Sequence, residues 1–186
     1  YPWDSRIAFT VTAASGSLPL HLRIPGWSEG ATLTVNGEAV AVSDPSSYTR
    51  LEREWAEGDV IVLELPMPTR MIRSHRLAEE LTGQVAVQRG PVVYAIESMD
   101  IPDGVRLEQV ALRRGASFAP AWTEIQNTRL LALDTEAAVL PLSGSDGLYE
   151  TVEQDELGSA PVRLIPYYAW ANRGAGEMSV WLPVVW

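Results

Sequence analysis

The sequence predicts an all-β protein with almost no helix, arranged as two consecutive antiparallel β-sandwich domains of jelly-roll-like form. The main observation is that apolar residues recur at every second position over most of the chain, as in strands with one buried face. A second observation is the spacing of these segments, which follow one another at intervals of roughly ten residues. They are separated by Gly, Pro, Asn and Asp, which is typical of sandwiches and barrels.

In the first half, the alternation predicts strands at 7–11, 18–24, 33–35, 40–42, 59–65, 84–87 and 92–96. The dipeptide Asn36-Gly37 is the strongest short hairpin signal in the chain, because both residue types tolerate a positive φ. Pro66 and Pro68 end one strand, since proline cannot donate to a β-ladder. The segment Arg89-Gly90-Pro91 is interpreted as a turn or bulge between the last two strands.

In the second half, the same pattern predicts strands at 105–112, 128–133, 162–168 and 178–182. A polar stretch with Pro and Gly interrupts the alternation at 98–104, so the predicted domains are 1–98 and 99–186. Segments 75–81 and 120–127 are each predicted to form at most one short helical turn. The acidic run 149–158 is interpreted as a solvated loop.

The chain is acidic and contains no cysteine. Its 14 basic and 24 acidic residues give a net charge of −10, which disfavours nucleic acids and anionic membranes as partners and leaves neutral sugars open. The lack of cysteine excludes a disulfide framework, a Cys nucleophile and any thiolate metal site, and it favours a cytoplasmic location over a secreted one. No stretch approaches the ~20 apolar residues of a membrane span. Because the chain starts at Tyr1 without Met or a signal-peptide pattern, we expect it to be part of a longer protein.

Only two histidines are present, and they do not predict a metal site or a catalytic base. His21 lies in a predicted strand, on the face opposite its apolar neighbours, and His75 lies in a basic segment beside Arg73 and Arg76. They have neither the spacing of paired metal ligands nor an obvious orienting group. Both are therefore expected to be surface residues.

Carboxylates are plentiful, and glycoside hydrolysis uses two of them in opposed environments. Glu97 with Asp100, or Glu150 with Asp155, are the pairs that could be nominated, but sequence spacing does not give their separation across a sheet. The acidic loop 150–156 offers oxygen ligands for calcium, yet it lacks the alternating Asp/Asn pattern and the ordering Gly of a calcium loop. We therefore predict no catalytic and no metal-binding residue in this chain.

Tryptophan is the most prominent side chain, with two opposing interpretations. Exposed indole rings would stack on sugars, and Trp27 and Trp55 are the candidates for such stacking, with Trp170 as a third. The alternative, which we favour, is that the rings fill cores or seams between domains, because they are scattered along the chain rather than clustered. The seven tryptophans are Trp3, Trp27, Trp55, Trp122, Trp170, Trp181 and Trp186.

The segment 165–174 (IPYYAWANRG) is unusually aromatic for a loop and is predicted to form an interface. Aromatic rings and Arg are enriched at the centres of protein contacts, where they bury a large area and leave polar ends to pair with the partner. The alternative, a strand ending in a turn, explains the turn but not the aromatic density. The candidate interface residues are Tyr167, Tyr168, Trp170, Asn172 and Arg173.

Six short motifs, taken in order along the chain, together resemble glycoside hydrolase family 127, the β-L-arabinofuranosidases and their relatives. Each motif is weak by itself, whereas six in the same order are fairly specific. The motifs are Tyr1-Pro2-Trp3-Asp4, Arg23-Ile24-Pro25-Gly26-Trp27, Val35-Asn36-Gly37, Leu65-Pro66-Met67-Pro68, Val87-Gln88-Arg89-Gly90-Pro91-Val92-Val93-Tyr94 and Pro166-Tyr167-Tyr168-Ala169-Trp170-Ala171-Asn172-Arg173-Gly174.

The resemblance implies a parent enzyme with an (α/α)-barrel followed by two β-sandwich domains, of which only the sandwiches match here. It also implies retaining hydrolysis by a Cys thiolate beside a zinc ion held by Cys and Glu. None of those cysteines can be carried over, so zinc is expected only in the missing catalytic domain, and this chain alone is not expected to be an enzyme.

The expected function is that of a non-catalytic C-terminal region that supports the missing barrel of the same polypeptide and supplies a subunit interface. A strand preceding Tyr1 is implied by the resemblance; if it is lacking, the first domain has an open sheet edge that invites a homodimer. The alternative is a carbohydrate-binding module that uses exposed tryptophans. A purely structural adhesion-type sandwich would explain the fold but not the ordered motifs.

Overall fold

The computed structural model describes residues 1–14, 16–142 and 157–186, and within these ranges the chain consists of strands and short 3-10 turns without an α-helix. No helix in these ranges is long and apolar enough to cross a membrane. The strands are β1 (Arg6–Thr10), β2 (Ser17–Ile24), β3 (Thr32–Val35), β4 (Glu38–Val40), β5 (Ser47–Glu54), β6 (Val60–Glu64), β7 (Thr69–Ile72), β8 (Gln84–Arg89), β9 (Val92–Glu97), β10 (Val110–Arg113), β11 (Ala119–Ile125), β12 (Thr128–Val139), β13 (Gly158–Pro166), β14 (Met178–Ser179) and β15 (Leu182–Val185). The 3-10 turns are Glu79–Leu81, Ser98–Asp100, Leu107–Gln109 and Tyr167–Ala169. The all-β prediction is confirmed.

The chain divides into two compact units that differ from the predicted domains 1–98 and 99–186. The first unit comprises residues 1–68 with 89–91, and the second comprises 69–88 with 92–186. The segment 98–104, where the boundary was predicted, is a 3-10 turn and loop inside the second unit. Polar, Pro- and Gly-bearing composition marks a loop of either kind, so it did not distinguish an internal loop from a linker.

The first unit consists of a four-stranded sheet, in the order β1-β6-β3-β4, and a two-stranded sheet of β2 and β5. The pairs β1–β6, β6–β3, β3–β4 and β2–β5 are all antiparallel. Buried residues of both sheets form one core. The core residues are Ile24, Leu33, Val35, Leu51, Trp55, Ile61, Leu63 and Leu65.

The predicted hairpin at Asn36-Gly37 is confirmed, and it connects β3 to β4. Both residues have positive φ, at 53° for Asn36 and 83° for Gly37, as a tight two-residue turn requires. The Asn36 side chain also holds the start of β6. Its Nδ2 donates to Asp59 Oδ1 at 2.8 Å, and its Oδ1 accepts from the Val60 N–H at 2.8 Å.

The second unit contains a closed barrel, which the jelly-roll-like sandwich prediction did not anticipate. Among the described strands, six form a ring in the order β9-β13-β12-β10-β15-β8, and pairing between β8 and β9 closes it. β10 and β15 run parallel, whereas the pairs β10–β12, β12–β13, β13–β9 and β15–β8 are antiparallel. Alternation of apolar residues identifies strands, but closure depends on the register and tilt of all six, which alternation does not encode.

The segment 120–127, predicted to form at most a helical turn, is a strand followed by a tight turn. β11 pairs with the first half of β12 in a hairpin whose turn residues, Gln126 and Asn127, have φ of 47° and 62°. The composition of this segment does not exclude a helical turn, but pairing with β12 decides the conformation, as tertiary context often does for short segments.

The core of the barrel is formed by large side chains that are almost fully buried. Both faces of β9 and β10 are inaccessible, since three consecutive residues in each strand are 0% exposed. Such strands are typical of sheets covered on both sides. The largest of the buried side chains in this unit are Tyr94, Ile96, Leu112, Leu130, Leu133, Leu164, Ile165 and Leu182.

Candidate functional site

The aromatic segment predicted to form an interface is a short turn at the end of β13, and we call residues 166–174 the aromatic turn. Pro166 ends the strand, and residues 167–169 form a 3-10 turn. The side chains of Tyr167, Tyr168 and Trp170 are 47%, 59% and 40% exposed, whereas Ala169 between them is buried at 3%. The turn therefore displays three large rings while its small residue packs inward.

Two carboxylates hold the aromatic turn in place through Arg173. Arg173 Nε donates to Glu97 Oε2 at 3.0 Å, and Nη1 donates to Asp100 Oδ1 at 2.9 Å, while Nη2 donates to both carboxylates. The Glu97 side chain is 4% exposed and that of Asp100 is 7% exposed. The bonds to Asp100 and then to Glu97 raise the pKa of Arg173 above its already high ordinary range, so the guanidinium remains charged. We call this set the Arg173 anchor.

The backbone of the turn is fixed by the same glutamate and by Asn172. The N–H of Ala171, which has a positive φ of 60°, donates to Glu97 Oε1 at 2.7 Å. Asn172 Nδ2 donates to the Ala169 carbonyl at 3.2 Å, and the Asn172 carbonyl accepts from Gln126 Nε2 at 2.6 Å. Asn172 and Arg173 thus hold the turn itself, although both are also exposed residues, as are the three aromatic ones.

The Arg173 anchor contains one of the two carboxylate pairs that the sequence offers as candidates for hydrolysis. Glu97 and Asp100 were considered as a pair for glycoside hydrolysis, and the structure brings both onto one guanidinium. The connection to Arg173 could not be predicted from local sequence, because Glu97 and Asp100 lie 76 and 73 positions before it. The other pair, Glu150 with Asp155, and the acidic loop 150–156 lie outside the described residues.

An open apolar groove adjoins the aromatic turn through Tyr167. It has a volume of about 520 Å³ and is lined by Val93, Tyr167, Met178, Ser179, Val180 and Trp181. The rings of the aromatic turn and this groove together form an apolar surface on the second unit. We call it the aromatic surface.

The tryptophans considered for sugar stacking are mostly packed. Trp55 is 6% exposed within the first core, and its indole N–H donates to the Leu18 carbonyl at 2.7 Å, so the sugar-stacking hypothesis is wrong for Trp55. Trp27 is partly buried and packs against the same core. Trp170 alone among the three candidates is well exposed, and it belongs to the aromatic turn.

A small all-β pair of units, with an anchored aromatic surface as its most distinctive feature, has the character of an accessory region of a larger protein. Comparison with known families agrees with this class. Residues 1–67 match the model of the β-L-arabinofuranosidase GH127 middle domain, and residues 69–183 match the model of the glycoside hydrolase family 127 C-terminal domain. The chain belongs to glycoside hydrolase family 127. The first family model ends at residue 67 and the second begins at residue 69, which is also where the second structural unit begins.

Three relatives show the same correspondence over nearly the whole chain. A non-reducing end β-L-arabinofuranosidase of Bifidobacterium longum subsp. longum is 37% identical over 190 residues, which are 97% of this chain and 29% of the relative. A solved structure of a glycoside hydrolase is 39% identical with a TM-score of 0.93, and the match covers all of this chain and 31% of the length of the solved chain. A GH127 β-L-arabinofuranosidase from Geobacillus stearothermophilus T6 is 37% identical with a TM-score of 0.89, again over all of this chain and 29% of its own. This chain therefore spans about 30% of the length of these relatives.

Proposed function

We propose that this chain is a non-catalytic supporting region of a β-L-arabinofuranosidase-like glycoside hydrolase, and that its aromatic surface packs against the catalytic part of the same polypeptide. The observation that carries this proposal is the Arg173 anchor. The network places two buried carboxylates on one guanidinium whose side chain is 25% exposed, and desolvation of the carboxylates offsets much of their attraction to the arginine. Such a network is useful at an interface, because a loop that is already fixed loses less conformational entropy when the partner binds.

The exposure of the three rings supports the same role. Tyr and Trp bury a large area with few rotatable bonds and place a polar tip at the edge of the contact. Tyr167 also lines the neighbouring groove, and exposed apolar surface of this kind marks interaction sites. A second copy of the chain would be the alternative occupant in a homodimer.

The chemistry that the family resemblance implies does not fit the residues present here. A Cys nucleophile and a zinc ion held by Cys and Glu both require cysteine, and this chain contains none. We therefore derive no catalytic step from this chain and assign the hydrolysis to the part of the parent protein that the chain does not cover.

The isolated chain is expected to release no product from 4-nitrophenyl β-L-arabinofuranoside, with or without added zinc and reductant. The physical reason is the lack of a thiol nucleophile, and the measurement is a long-incubation colorimetric assay at high protein concentration. The full-length Geobacillus relative, assayed in parallel, serves as the positive control. Zinc-dependent turnover that disappears when one carboxylate of this chain is replaced would contradict the proposal.

The supporting role is tested in a chimera in which this chain replaces the matching 29% of the Bifidobacterium relative. The chimera is expected to hydrolyse the aryl arabinofuranoside, and Trp170→Ser is expected to shorten its active half-life on heating about fivefold. This corresponds to the loss of roughly 1 kcal/mol at an interface residue. In the isolated chain the same substitution is expected to shift the unfolding midpoint by no more than ~2 °C, because the ring is exposed.

Trp122 offers a matched control, since it is 50% exposed on β11 and lies outside the aromatic surface. Trp122→Ser is expected to leave the half-life of the chimera unchanged. An active chimera in which both substitutions have the same effect would refute a role for the aromatic turn in this contact. Equal destabilisation of the isolated chain and the chimera by Trp170→Ser would assign the ring to internal packing.

A further inference from the structure

The basic segment around His75 lines a second cavity, on the second unit, that plays no part in the proposed contact. The cavity has a volume of about 750 Å³ and lies between the loop that follows β7 and the end of β15. Arg73, His75 and Arg76 line it, and among the residues that the structure describes no acidic one does. In a chain with a net charge of −10, a cavity of this composition is unusual.

The cationic groups of this cavity are available to a ligand. Neither Arg73 nor Arg76 forms an ion pair or a side-chain hydrogen bond with any residue that the structure describes, although acidic residues outnumber basic ones in the chain. Both are exposed to solvent. A free guanidinium presents a planar set of donors that matches the two oxygens of a carboxylate.

The loop holds His75 with one ring nitrogen already used. His75 Nδ1 accepts from the Leu77 N–H at 3.3 Å, and the His75 carbonyl accepts from the Ala78 N–H at 2.9 Å. In the neutral imidazole the proton is therefore on Nε2, which is left as a donor. Arg73, Arg76 and His75 thus all offer donors, as an anion requires.

The remainder of the lining is apolar and aromatic. Leu81, Val85 and Val184 contribute aliphatic surface, and Trp186 contributes an indole. The Arg114 guanidinium lies 4.1 Å from the centre of the Trp186 ring and does not line the cavity, so one face of the indole is already covered. An indole beside a polar cluster is suited to contact the apolar face of a sugar ring.

From these features we propose that the cavity binds an acidic saccharide, with its carboxylate at Arg73, Arg76 and His75 Nε2 and a sugar ring beside Trp186. A sugar with a carboxylate is the ligand class that uses both halves of the lining. A free inorganic anion would use only the guanidinium groups, and a neutral sugar would use only the indole and the aliphatic residues. The cavity shares no lining residue with the groove of the aromatic surface, so the proposal of a saccharide site can be tested independently of the proposed function.

The test is a titration of the intact chain by isothermal calorimetry with three probes. The probes are the trisaccharide of galacturonic acid, the neutral trisaccharide of galactose and inorganic phosphate. The acidic trisaccharide is expected to bind at least about tenfold more tightly than the neutral one, because a hydrogen bond to a charged group is worth more than one between neutral groups. It is expected to exceed phosphate by a similar factor, because phosphate has no ring to contact Trp186 and the aliphatic lining. Its affinity is expected to fall as salt is added.

Arg73→Gln and Arg76→Gln are each expected to weaken binding of the acidic trisaccharide about tenfold. Arg106→Gln serves as the control, since Arg106 is an exposed arginine of the same unit that pairs with Glu108, and it should leave binding unchanged. All three positions are exposed, so the midpoint of thermal unfolding should not move. Equal affinity for the acidic and neutral trisaccharides, or binding that survives both substitutions, would overturn the proposal. Phosphate binding as tight as that of the acidic trisaccharide would overturn the assignment to a saccharide.

Discussion

Trp55→Ala is expected to lower the free energy of unfolding of the first unit by about 3–5 kcal/mol, the usual cost of truncating a large buried aromatic side chain. Trp55 is 6% exposed and lies in the core shared by the two sheets. The substitution also leaves the Leu18 carbonyl without the indole donor at 2.7 Å. Chemical denaturation followed by circular dichroism measures the loss, and a unit this small is left close to its limit of stability.

Tyr48→Ala is the matched control, because Tyr48 is a 56% exposed aromatic residue on β5 of the same unit. Among the described residues its ring contacts Arg23, whose guanidinium carbon lies 5.9 Å from the ring centre, so its loss should cost less than about 1 kcal/mol. Trp55→Phe, which keeps most of the volume, should fall between the two. A fully stable Trp55→Ala variant would show that this indole is not part of the core and would restore it as a candidate for sugar stacking.

Arg173→Met is expected to lower the free energy of unfolding of the second unit by about 3–5 kcal/mol, because it leaves two buried carboxylates without their cation. The side chains of Glu97 and Asp100 are 4% and 7% exposed, so water cannot readily replace the guanidinium. Thermal unfolding measures the loss as a drop of the midpoint by roughly 10 °C or more. The Ala171 N–H donates a hydrogen bond to Glu97, so its hydrogen exchange should become faster by a larger factor than exchange in the barrel strands.

Arg163→Met provides the control for the loss of an ion pair in the same unit. Arg163 binds Asp134 through two bonds of 2.7 and 2.8 Å, but the two side chains are 39% and 40% exposed. Solvent screening limits such a pair to about 1 kcal/mol or less. If Arg173→Met and Arg163→Met proved equally mild, the Arg173 anchor would have to be regarded as a surface pair, and the pre-formed interface would lose its support.

Most strands could be predicted from the sequence, because a strand with one buried face has apolar and polar residues in alternation. β6 and the hairpin of β3 and β4 follow that pattern, and both were predicted. β5 and β7 were missed, since polar residues interrupt the alternation in one and the other is only four residues long. β11 was assigned a possible helical turn, because its strand conformation comes from pairing with β12.

The interface predicted at the aromatic turn stays a prediction, and the internal contacts that hold this turn were not predicted. Aromatic density alone identified the segment that contains Tyr167, Tyr168 and Trp170, and the structure places all three rings at the surface. Local composition does not reveal that Arg173 points back to Glu97 and Asp100, since a charged residue in a loop is compatible with either an internal or an external partner. The structure shows that Arg173 positions the turn, and its role as an interface residue stays a prediction.

The sequence by itself determined the all-β class, the turns that need positive φ and the family, because each is written in neighbouring residues or in motifs of a few positions. Only the tertiary structure decided that the second unit closes into a barrel and that Trp55 belongs to the core. It also decided that the Arg173 anchor holds the aromatic turn in place. These features depend on contacts between residues far apart in the chain, such as the 76 positions between Glu97 and Arg173. Burial and pairing are properties of the folded arrangement, and local composition constrains them only weakly.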